Sequence, residues 1–142
     1  MIQRRQTIYL VLGALAMGAL FFLGPLWSGP AAKQFGWFTL AAAVLAGLTA
    51  AGALGAVCLY RNRSRQRAVV AGVQVLTALT AVLLFVSYYA AGALGLRGES
   101  GALDIAQIVF LVLPVAAYVL FFLARRAIRS DIELVKSMDR LR

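Results

Sequence analysis

The chain has 142 residues, 63% of them hydrophobic and only 13% charged, and it contains no histidine. A soluble domain carries roughly 25% charged residues spread over its surface. Here charge is cleared from whole segments, and four apolar runs reach the roughly 20 residues that a helix needs to cross a bilayer. The composition describes an integral membrane protein whose first partner is the lipid bilayer. A net charge of +9 would suggest nucleic acid in a soluble chain. In a membrane protein it belongs to the loops that orient the spans, so no nucleic acid partner is expected.

The head, Met1 to Gln6, is short and basic. Span one runs from Thr7 to about Leu23 and stops where Gly24 and Pro25 break the helix. A basic head before an apolar run also describes a signal peptide, but this run exceeds the usual h-region and no A-x-A site follows, so it is expected to stay. Residues 24–37 read as the first outside loop, flanked by Trp27 and Trp37. Their amphipathic rings favour the headgroup layer; the sharper alternative is a sugar- or lipid-binding aromatic pair.

Span two runs from Phe38 to Tyr60. Gly47, Ala51 and Gly55 recur every fourth residue, stack on one helix face and would let another backbone approach, as Ala14 and Gly18 do in span one. Such a seam serves packing within the bundle or self-association. Cys58 is alone, which rules out an internal disulfide, and it reads as a small packed residue at the end of this span.

Arg61, Arg63, Arg65 and Arg67 follow within seven residues, and read as a short loop at a membrane surface. Span three, Ala68 to about Gly95, is long enough to tilt or project. At 100° per residue Gln74, Thr77, Thr80, Ser87 and Tyr88 fall within an arc of about 140°. That arc should face other helices, since its polar groups need partners away from lipid. Interhelical hydrogen bonding explains it; a polar pathway is the functional alternative.

The second outside loop, Leu96 to Leu103, carries Arg97 and Glu99. Asp104 and Gln107 resemble a capping box opening span four, Ile105 to Ala124, in which Pro114 predicts a kink that serves shape or a hinge. The tail, residues 125–142, places Ser130 three before Glu133, a second capping box, and spaces Ile128, Ile132, Val135, Met138 and Leu141 as one apolar stripe. It predicts a short amphipathic helix, lying on the inner leaflet or docked on a partner, and too short to be stable alone in water.

Head, arginine loop and tail hold twelve Lys/Arg, and the two outside loops hold only Lys33 and Arg97. By the positive-inside rule both termini face the cytoplasm. The predicted architecture is all-α: a single domain, residues 1–142, forming a four-helix up-down membrane bundle with short connections and a cytoplasmic amphipathic C-terminal helix.

The two ends, Met1-Ile2-Gln3-Arg4-Arg5-Gln6-Thr7-Ile8-Tyr9-Leu10 and the run from Arg125-Arg126-Ala127-Ile128-Arg129 to Arg142, resemble those of domain-of-unknown-function family 4293. The likeness covers the whole chain in layout, with specific motifs only at the ends. It implies four helices in a bacterial inner membrane, typically of Bacteroidota, and supplies no activity and no catalytic residues.

The residues themselves exclude much chemistry. No ionisable acid, base or histidine lies inside a span, where a proton-coupled transporter or a small multidrug-type exporter needs one. A quinone-linked disulfide oxidase needs cysteine pairs, a serine hydrolase needs a base beside its serine, and a metal site needs ligands that this chain lacks. No catalytic residue, cofactor or metal is expected. Three readings remain. The first is an accessory, assembly or interaction subunit of a larger complex, with a membrane-protein partner or a second copy. The second is a passive carrier or channel-like oligomer using the span-three arc. The third is an anionic-lipid-binding protein using Arg61, Arg63, Arg65, Arg67, Arg125, Arg126 and Arg129, residues that topology determination explains equally.

Overall fold

The computed structural model describes residues 2–95 and 101–141, with side chains from residue 5 onward; Arg97 and Glu99 lie outside the described residues. Its elements are α1 (Ile2–Ala19), prolonged by a 3-10 turn (Leu20–Phe22), α2 (Gly24–Ser28), α3 (Pro30–Gln34), α4 (Phe38–Cys58), α5 (Arg63–Ala90) and α6 (Ile105–Arg140). Among the described residues four helices, α1, α4, α5 and α6, are long and apolar enough to cross a membrane.

Each long helix buries a stripe whose members lie three or four residues apart. In α5 it is Gln66, Val70, Val73, Thr77, Thr80, Leu84 and Ser87. In α6 it is Gln107, Phe110, Pro114, Ala117, Phe121, Ala124, Ile128 and Asp131. Leu10, Ala14, Met17 and Leu20 face inward from α1, and Phe38, Ala42, Ala46, Thr49, Ala53 and Ala56 from α4. A near-seven-residue repeat keeps one face toward its neighbours along the whole helix, which is the spacing of a left-handed bundle. The helices follow one another around a ring: α1 packs on α4 and α6, and α5 packs on α4 and α6.

The outward faces are apolar instead of charged. Leu15, Leu40, Leu48, Val75, Val82, Val112 and Val119 are all at least half exposed, whereas Thr49, Thr77 and Thr80 are fully buried. In water so large an apolar surface would be unstable to aggregation; in lipid it is the surface the solvent requires.

Small residues set how closely the ring closes, but not those of the Gly47, Ala51 and Gly55 seam. Ala51 and Gly55 face outward, and Gly47 is half-buried beside Phe21. Two thirds of α4 is Ala, Gly, Thr or Cys, so rows of small residues run along several of its faces and spacing does not single out one. The close approaches fall at Gly13, where a Cβ would strike the Phe121 ring of α6, and at Gly52, where it would sit 2.9 Å from Val73 Cγ2 of α5.

Residues 24–37 are not a plain loop. Pro25 and Pro30 stand in the first turns of α2 and α3, where their missing N–H has no helical partner to lose. Leu26 and Ala31 are buried. Trp27 Nε1 donates to Phe21 O at 2.8 Å, Thr39 Oγ1 to Leu26 O at 3.1 Å and Tyr88 OH to Pro25 O at 3.2 Å. Gly29 makes room for that tyrosine, since a Cβ there would strike both Tyr88 OH and Pro25 O. The segment is a folded cap over one end of the bundle, and Trp27 and Trp37 stay more than half exposed beside it.

At the other end two boundaries shift. Asn62 accepts from Arg65 N at 3.2 Å and caps α5, so Arg63, Arg65 and Arg67 are helical and the arginine loop shrinks to residues 59–62. With Gly92 at φ +68 turning the chain, α5 also ends earlier, at Ala90. The tail is continuous with span four: α6 runs unbroken through Pro114 and Ala124 to Arg140. Ser130 therefore caps nothing, and Glu133 instead pairs with Arg129, at 3.0 Å. The expected box at Asp104 forms by half. Its carboxylate accepts from Gln107 N at 3.1 Å, but the Gln107 amide donates to Ala93 O in the α5–α6 connection. Cys58, expected to be packed, is exposed at the end of α4.

Candidate functional site at the arginine end

The seven arginines singled out from the sequence divide into three groups. Arg61 and Arg65 are exposed, with the Arg61 guanidinium 6.0 Å from the centre of the Tyr60 ring. Arg63 turns toward α6, where its Nη1 lies 2.7 Å from Asp131 Oδ2. The N–H does not point along that line, so the contact is an ion pair rather than an aligned hydrogen bond.

The third group, Arg67, Arg125, Arg126 and Arg129, surrounds an open cleft of ≈ 580 Å³ between α5 and α6, with Phe122, Ser130 and Glu133 completing its walls. Arg125 Nη1 donates to Gln74 Oε1 at 3.3 Å, which holds one guanidinium against α5. Glu133 neutralises Arg129. Among the described residues Arg67, Arg125 and Arg126 have no acidic partner.

The five polar residues of the span-three arc, Gln74, Thr77, Thr80, Ser87 and Tyr88, are all buried. Their bonds differ from one another. Gln74 reaches α6 and Tyr88 reaches α2, but Thr77 Oγ1 donates to Val73 O and Thr80 Oγ1 to Leu76 O, each inside its own helix. A threonine hydroxyl can reach the carbonyl four residues back and so needs no neighbouring helix. Around Tyr88 the core is aromatic: Phe38 lies 6.2 Å and Phe110 5.9 Å from its ring centre.

Sequence reasoning missed Gln66 and Asp131. Gln66 Nε2 donates to Ala56 O at 3.0 Å and ties α5 to the end of α4. Both residues lie on the three-and-four spacing of their helix's buried stripe, one step beyond its last apolar member, and that spacing was the available signal.

Four apolar helices in a ring, with polar bonds inside and aliphatic side chains outside, define a multi-pass membrane protein. The profile of the domain of unknown function DUF4293 matches residues 2–141, and the chain belongs to that family. No curated protein and no solved structure matches it.

Proposed function

We propose that the chain is a non-catalytic interaction subunit that packs with a larger complex in a bacterial inner membrane, using the end of α6 as its docking segment. The observation that carries this reading is the length of α6. It continues for about 24 Å beyond Ala124 at 1.5 Å per residue. Ile128 and Asp131 still pack on the bundle, but Leu134, Val135, Met138 and Leu141 beyond them are exposed. Val135 carries the buried face of α6 past the last helix able to cover it. Apolar anchors on an extended helix are the means by which such segments dock in a groove or on another helix. The excess of Lys/Arg at this end supports placing it, with both termini, in the cytoplasm. With no histidine and a single cysteine, no catalytic role, cofactor or metal is proposed.

A photoreactive amino acid at Met138 tests the reading in native membranes. One dominant cross-linked species is expected from that position and little from Lys136, on the opposite face. The mass of the product distinguishes a different subunit from a second copy. Equal, diffuse cross-linking from both positions would overturn the proposal. The polar path gains no comparable support, since Thr77 and Thr80 are satisfied within their own helix, Tyr88 donates to Pro25 O, and Phe38 and Phe110 pack around the Tyr88 ring.

A further inference from the structure

The arginine cleft does not end at the membrane surface. A second hollow, a groove of ≈ 370 Å³, runs from it along the outer seam of α5 and α6. Phe122 and Arg125 line both. The groove is walled by Val75, Leu79 and Val82 of α5 and Tyr118 of α6, over a floor of Ala71 and Ala78. From Ala71 to Val82 it descends about 16 Å along the helix axis, which is close to half of a hydrocarbon core roughly 30 Å thick. An apolar groove one leaflet deep therefore opens at its upper end into a cleft holding three arginines that have no acidic partner among the described residues.

We propose that cleft and groove together hold one anionic phospholipid of the leaflet on the arginine side, independently of what docks on the end of α6. Its phosphate lies among Arg67, Arg125 and Arg126, and one acyl chain follows the groove past Phe122 and Tyr118. Guanidinium forks match phosphate oxygens in charge and geometry. Gln74 fixes Arg125 at the junction of the two hollows, and Ser130 adds a hydroxyl beside the headgroup. The alanines supply the depth that an acyl chain needs. A peripheral patch would require none of this, and Arg61 and Arg65, on the same end of the bundle, line neither hollow.

The test is native mass spectrometry of the purified chain with added phosphatidylglycerol, phosphatidylcholine or inorganic phosphate, with folding of each variant followed by gel filtration. The wild type is expected to retain one phosphatidylglycerol in preference to phosphatidylcholine. Arg67→Gln/Arg125→Gln/Arg126→Gln should weaken that retention on the order of a hundredfold, at about 1 kcal/mol for each charge. Arg61→Gln/Arg65→Gln should leave it unchanged. Ala78→Phe, which fills the groove without altering charge, should also weaken it, and this variant decides the matter should the triple variant fail to fold. Equal losses from both arginine sets would overturn the proposal in favour of diffuse surface charge. Displacement of the lipid by millimolar inorganic phosphate would overturn it by showing that the groove contributes nothing.

Discussion

Arg63 Nη1 and Asp131 Oδ2, 2.7 Å apart, join the first turn of α5 to the part of α6 that lies beyond its apolar span. The Asp131 side chain is 12% exposed and that of Arg63 30%, so the pair stands between a solvated surface bridge and a buried one. Removing either partner should cost about 1–2 kcal/mol, between the values for those two extremes. In a double-mutant cycle of thermal unfolding in detergent, Arg63→Gln/Asp131→Asn should lose less than the sum of the single changes. Additive losses would mean that the two groups do not interact.

The glycines of α1 and α4 should answer differently to the same change. Gly13→Leu drives a side chain into the Phe121 ring and should destabilise the bundle by about 1–3 kcal/mol. Gly55→Leu points into open space and should stay within about 0.5 kcal/mol. A reversed order of the two melting temperatures would contradict the packing described above.

Tyr88→Phe removes the hydroxyl that donates to Pro25 O while keeping the ring between Phe38 and Phe110. The loss should be about 0.5–1.5 kcal/mol, and it should be local. Hydrogen exchange is expected to speed up in α2 and α3 and to stay unchanged at the arginine end. Unchanged exchange in α2 and α3 would show that the cap does not depend on this bond.

Cys58 is the only cysteine and is exposed at the arginine end of α4, which makes it a direct reporter of orientation. A membrane-impermeant maleimide should leave it unmodified in right-side-out vesicles and label it in inverted ones. The opposite pattern would place the arginines outside and remove the cytoplasmic assignment of the α6 end.

The four long apolar helices and the helical tail were legible because a bilayer tolerates only long apolar runs. The boundaries were less so. Arginines drew the eye to a loop, but arginine is a good helix former, and Asn62 in front of them carries the capping signal that decides where α5 begins. Ser130 carries the signal of a cap, and the continuity of α6 removes that role. The seam on α4 is not the one used inside the bundle, because the choice between several rows of alanine and glycine is made by Val73 and Phe21, which lie outside α4. No periodicity within α4 contains that information. The cleft and its groove likewise exist only once α5 and α6 lie side by side.

The order of helices around the ring also sets an order in time. Three of its four seams join helices that follow one another along the chain, but the fourth joins α1 to α6. During synthesis α1 enters the membrane with its Gly13 side uncovered and waits there while α4 and α5 insert. Only the arrival of Phe121 completes it. A chain arrested before α6 is therefore not a smaller bundle but an open half-ring, exposing its inner hydroxyls to lipid, and quality control would meet it in that form.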